Sequence, residues 1–124
     1  MSPHPGEAVI VVEDDADTRE ALVDLLRLSG YTVATAENGR RALELLRTMK
    51  DKPCLILLDI MMPVMNGWQF LEELKADPVL AGIPVVVLTA DGSASARAGD
   101  VPVAAFLNKP VNVGALSAAV ARHC

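Results

Sequence analysis

Five apolar runs, around residues 8–12, 31–36, 54–59, 83–90 and 104–110, alternate along the chain with stretches whose apolar residues recur at helical spacing. This alternation of strand-like and helix-like segments is the signature of βα units around a parallel sheet, and few other folds accommodate it. After the first run, Ala21, Leu22, Leu25 and Leu26 share one helical face and Gly30 supplies a stop. Asn38 is placed to cap a second helix whose inner face is Ala42, Leu45, Leu46 and Met49, and Phe70, Leu71 and Leu74 form the stripe of a third that ends at Asp77-Pro78. The run CLILLD is apolar without alternation, as expected of a strand covered on both faces.

The segment DGSASARAGDVPV, between the fourth and fifth runs, breaks the pattern. Gly92, Gly99 and Pro102 leave room for about two helical turns, around 93–98, with little apolar surface to anchor them. A short or irregular helix there, mobile and weakly held, is the expectation. The final stretch VNVGALSAAVARHC reads as a closing helix.

At 124 residues the chain is the size of one domain, and residues 8–124 are taken as that domain after a tail over 1–7. Only 3% of residues are aromatic although 52% are hydrophobic, so the core is aliphatic. A net charge of −5 argues against direct binding to nucleic acid, which requires a basic surface. No apolar run approaches the ~20 residues of a membrane helix, and the first residues lack the basic and apolar segments of a signal peptide. Cys54 and Cys124 form neither a metal-ligand spacing nor a disulfide framework, so the expectation is reduced thiols in a cytoplasmic protein.

The chemistry lies where the runs end. In open parallel sheets ligands bind outside the carboxyl ends of the strands. That rule brings Glu13, Asp14 and Asp15 together with Asp59, Thr89 and Lys109 on one rim. Adjacent carboxylates beside an apolar core are costly unless a positive charge compensates them, and clustered carboxylates suit a hard cation such as Mg²⁺. Asp15 and Asp17 are also placed as simple helix caps. EDDAD carries no glycines for close phosphate approach, which removes a dinucleotide-binding reading.

VVEDD, LLDIMMPVMNG, VVVLTA and FLNKP, in that order at strand ends, make the chain resemble the receiver domain of bacterial two-component response regulators. The resemblance covers nearly the whole sequence. It implies a single-domain, three-layer (βα)5 doubly wound sheet in the flavodoxin or CheY-like order 2-1-3-4-5. It further implies that Asp59 accepts a phosphoryl group from the phosphohistidine of a sensor histidine kinase or phosphotransfer protein. Glu13, Asp14, Asp59 and the backbone carbonyl of Met61 would hold Mg²⁺, while Thr89 and Lys109 would contact phosphoryl oxygens. Thr89 and Phe106 would form the switch, and a cis Lys109-Pro110 bond would aim Lys109 over the site. Met61 and Asp91 stand where the family sets phosphoryl lifetime. The output would be a downstream protein target or a covalently linked domain, making the chain a signalling switch, not an enzyme.

The sequence departs from the common family pattern at Asn66, Phe106, Asn108 and Val111, and most in the Gly-rich stretch before the fifth run. A phosphorylation-independent interaction module with the same fold is therefore the alternative. A phosphohydrolase with an Asp nucleophile is disfavoured because Met61 stands where its second Asp belongs.

Overall fold

The computed structural model describes residues 7–60, 65–89 and 103–124. Five parallel strands, β1 (Ala8–Val12), β2 (Thr32–Ala36), β3 (Leu55–Asp59), β4 (Val85–Thr89) and β5 (Ala105–Asn108), form one sheet in the order β2-β1-β3-β4-β5. Helices α1 (Ala16–Leu28), α2 (Gly39–Thr48), α3 (Gly67–Ala76) and α4 (Val113–His123) cover its faces. The short helix expected around 93–98 lies outside the described residues.

Burial follows position in the sheet. Every residue of β3 and β4 is buried, as are Val9 to Val12 of β1, whereas the edge strands β2 and β5 are mostly half-exposed. The continuous apolar runs are thus the strands with helices on both sides, as parallel packing requires. Alternate residues feed two cores. Ile10, Val12, Ile56, Leu58, Val85 and Val87 meet the inner faces of α2 and α3 through Leu46, Phe70, Leu71 and Leu74. On the other face Val9, Val11, Leu55, Leu57, Val86 and Leu88 pack with Leu22 and Leu26 of α1 and with Leu116 and Val120 of α4.

Helix faces differ in detail from the sequence expectation. In α1 the buried residues are Leu22, Val23 and Leu26, with Ala21 exposed; in α2 Leu43 is buried while Leu45 and Met49 only border the core. Both helices sit rotated by about one residue from the stripe of largest apolar side chains. Each helix starts on an Asp or Asn cap: Asp15, Asn38, Asn66 and Asn112 each accept a backbone N–H from three residues on. Asn66 forms a reciprocal capping box with Gln69, so its departure from the common family residue preserves the cap.

The two cysteines correct another expectation. Cys54 and Cys124, 70 residues apart, are joined as a disulfide with Cα atoms 4.9 Å apart. Their sequence spacing carries no sign of this, because it is the return of α4 across the sheet that brings its end to the start of β3.

Candidate functional site

Strand order does the assembling. β1, β3, β4 and β5 are parallel and in register, so their carboxyl ends share one edge, and Glu13, Asp59, Thr89 and Lys109 follow or end those strands. Glu13 continues the β1 backbone by donating its N–H to the Ala36 carbonyl at 3.0 Å. The Arg19 guanidinium, from the second turn of α1, donates to the Glu13 carbonyl at 2.9 Å. Lys109 donates its backbone N–H to the Thr89 carbonyl at 2.9 Å, and the Lys109-Pro110 bond is cis.

Glu13, Asp59 and Thr89 are the buried polar or charged residues of the described chain, and all three lie on this rim. Lys109 joins the acids: its Nζ is 2.8 Å from Glu13 Oε1 and 3.3 Å from Asp59 Oδ2. Glu13 is fully buried, and its second oxygen, Oε2, has no hydrogen-bond partner among the described residues. A buried carboxylate oxygen left in that state is costly unless a further donor or cation reaches it. Burial first, then the hydrogen bond and charge of Asp59, push the Glu13 carboxyl up to about 7 against the pull of Lys109. For Lys109, burial acts downward, but the Glu13 hydrogen bond and the charges of Asp59 and Glu13 outweigh it and hold the ammonium above its usual range.

Carboxylate oxygens of Glu13, Asp14 and Asp59 come within 4.8 Å of one another, with Asp14 on the exposed side. This is an all-oxygen set open to water on one face, which a hard divalent cation can enter. Asp15 stands apart. It accepts from both the hydroxyl and the backbone N–H of Thr18, and these bonds, the hydroxyl's foremost, lower its carboxyl. It is the cap of α1.

Ile60, next to Asp59, is tied to the start of α3. Gly67 donates to the Ile60 carbonyl at 2.9 Å, and a Cβ at Gly67 would sit 2.7 Å from the Ile60 Cα, so only glycine fits beside the residue that follows Asp59. Gly39 of α2 donates its N–H to the Met65 carbonyl at 3.3 Å, just before the cap of α3. Met61 and Asp91 lie outside the described residues.

Phe106 is half-buried on β5 beside Val87, and Thr89 is two residues beyond Val87 on β4. Thr89 and Phe106 therefore share a sheet face, the one that carries α2 and α3. Trp68 at the start of α3 is half-buried against that same core.

The model of the response regulator receiver domain family matches residues 9–121. The chain belongs to this family. Among curated proteins the receiver is similar to a probable transcriptional regulator, ycf27, of Porphyra purpurea, with 34% identity over 92% of this chain and 46% of that protein. It thus spans about half the length of that relative. Among solved structures it is similar to the signal receiver domain of a signal transduction histidine kinase from Syntrophus aciditrophicus, with 32% identity, a TM-score of 0.86, and coverage of 94% of this chain and 89% of that one. The chemotaxis protein CheY4 of Vibrio cholerae matches with 26% identity and a TM-score of 0.87, over 96% and 99% of the two chains. Sheet order and family both agree with the sequence reading. No helix among the described residues is long and apolar enough to cross a membrane.

Proposed function

We propose that this receiver, acting through residues 8–124 in the cytoplasm, takes a phosphoryl group on Asp59 from the phosphohistidine of a sensor kinase or phosphotransfer protein. It then presents a changed surface to a protein target or a linked output domain. The observation that carries this reading is the convergence of the buried Glu13 and Asp59 on the half-buried Lys109 ammonium, beside an exposed Asp14.

In the transfer, an Asp59 carboxylate oxygen attacks phosphorus, the phosphorus–nitrogen bond to the donor imidazole breaks, and an acyl phosphate results. Mg²⁺, held by Glu13, Asp14, Asp59 and the Met61 carbonyl, would offset charge on the phosphoryl oxygens. The buried Glu13 Oε2 and the all-oxygen donor set fit that ion. Lys109, 3.3 Å from Asp59, is within reach to pair with a phosphoryl oxygen once the phosphoryl group occupies the rim. Thr89 would hydrogen-bond another oxygen and draw inward, and Phe106, which has no hydroxyl, would follow by packing alone. Met61 and Asp91 would govern access and orientation of the hydrolytic water. An apolar groove of about 910 Å³ between α1 and α4 opens beside Lys109, walled by Leu25, Leu28, Pro110 and Val113. With Leu28 88% exposed, it is a surface of the kind a protein donor covers.

Backbone NMR with Mg²⁺ and the phosphoryl mimic beryllofluoride tests the reading. Shift changes at Asp59, Thr89, Phe106 and Lys109 that vanish in Asp59→Asn are expected. Changes that stop at the acidic rim would remove the switch, and none at all would favour the phosphorylation-independent module.

A further inference from the structure

The edge of the sheet opposite the acidic rim holds a second group of chemically active side chains. Cys54 directly precedes β3, Glu7 directly precedes β1, and Cys124 caps the end of α4. Cys54 donates its N–H to the Ala8 carbonyl of β1 at 2.8 Å, and the Glu7 carbonyl accepts from Thr32 of β2 at 3.0 Å, so both are fixed by the backbone of neighbouring strands. Cys124 donates its N–H to Val120, whose side chain is buried in the α1/α4 core. The Cys54 and Cys124 Cα atoms, 4.9 Å apart, lie within the usual disulfide range. Both side chains are half-buried, hence reachable by a small oxidant. The Cys124 Sγ also lies 3.5 Å from Glu7 Oε2, so the reduced thiol has an acceptor of its own.

We propose that Cys54 and Cys124 form a reversible thiol–disulfide site that fastens α4 to the start of β3 under oxidising conditions and frees it under reducing ones. The step is a dithiol–disulfide exchange with a small-molecule disulfide. One cysteine thiolate attacks the disulfide and expels a thiol, and the second cysteine then displaces the other thiol as the protein S–S bond forms. The two protons lost by the cysteines go to the departing thiolates. When the site is reduced, the Cys124 thiol donates to Glu7 and the end of α4 is held by that contact and by packing around Leu116 and Val120. Cys54 and Asp59 are separated by the length of β3, roughly 16 Å at ~3.3 Å per residue, so the site acts on α4 without entering the rim. It does not depend on what the rim does.

The test uses the full chain, first reduced with dithiothreitol and then equilibrated with oxidised glutathione, quenched with iodoacetamide and weighed intact. The reduced chain should take up two alkyl groups; the oxidised chain should take up none, carry no glutathione and remain monomeric on a non-reducing gel. Its thermal midpoint should stand about 10 °C above that of the reduced chain, as expected for a crosslink closing a long loop. Cys54→Ser and Cys124→Ser should each abolish that difference, and the wild-type comparison stands even where a variant folds poorly. Thiols that stay fully alkylatable in oxidised glutathione, or that form only linked dimers, would overturn the proposal. So would thiols shielded by added Zn²⁺ but not by oxidised glutathione, which would make Glu7, Cys54 and Cys124 a metal site.

Discussion

Glu13 is the residue whose environment makes the sharpest demand. Its carboxyl titrates near 7 in the fold and near its ordinary value of 4.5 in the unfolded chain, so between those pH values the folded state binds the extra proton. Its contribution therefore favours the fold at pH 4.5 and is progressively lost as pH rises to 7, the reverse of an ordinary ion-paired acid. A cation entering the rim must displace that proton, so Mg²⁺ affinity should rise with pH up to about 7 and level off above it. Calorimetry in buffers of different ionisation heat should show proton release below that pH and little above. Glu13→Gln should flatten the pH dependence and weaken Mg²⁺ binding by about tenfold or more, through loss of one carboxylate from the set. An unchanged affinity would remove Glu13 from the metal assignment. At Thr89 the expectation differs: Thr89→Ala should still take up phosphoryl on Asp59, but the shifts at Phe106 on activation should shrink. Glu13, Asp14, Asp59, Thr89 and Lys109 were legible in the sequence because each ends or follows an apolar run. What was not legible is that Glu13 is fully buried with one oxygen unpartnered among the described residues, since only the folded packing and the reach of Lys109 decide it.

Among the elements, the junction of β3 with α3, where Gly67 meets Ile60, bears most directly on the site. Gly67→Ala would press its new methyl against the Ile60 backbone, which must shift. A cost on the order of 1–3 kcal/mol is expected, with weakened phosphoryl uptake because Ile60 adjoins Asp59. Asn66→Ala removes only the capping box and should cost about 1 kcal/mol with uptake nearly intact. Chemical denaturation and uptake measured side by side separate the two cases; equal losses in both variants would mean that the glycine acts through the helix alone. The elements themselves were read well because the apolar runs of the central strands have no competing helical reading. The rotation of α1 and α2 was misjudged for a physical reason. Leu43 is buried in the core that α2 shares with α3, and Val23 is buried on the side of α1 near Thr35 of β2, neighbours that residue spacing along one helix does not reveal.

For the molecule as a whole, the parallel order β2-β1-β3-β4-β5 turns four separated stretches of sequence into one rim. Residues distributed from Glu13 to Lys109 meet because each strand contributes its carboxyl end, and the fold was readable for the same reason: alternation fixes parallelism, and parallelism fixes the rim. The disulfide on the opposite edge escaped the sequence because nothing local marks two cysteines 70 residues apart as neighbours. Stability should reside in the shared cores. Phe70→Ala, at a fully buried position, should cost about 3–5 kcal/mol by denaturant titration, and a loss below 1 kcal/mol would contradict the packing described. The central claim is phosphoryl acceptance at Asp59, and intact mass after incubation with a small acyl phosphate and Mg²⁺ tests it most directly. The account predicts one phosphoryl adduct that requires the metal and is absent in Asp59→Asn; no adduct, or an adduct that persists in that variant, would contradict it.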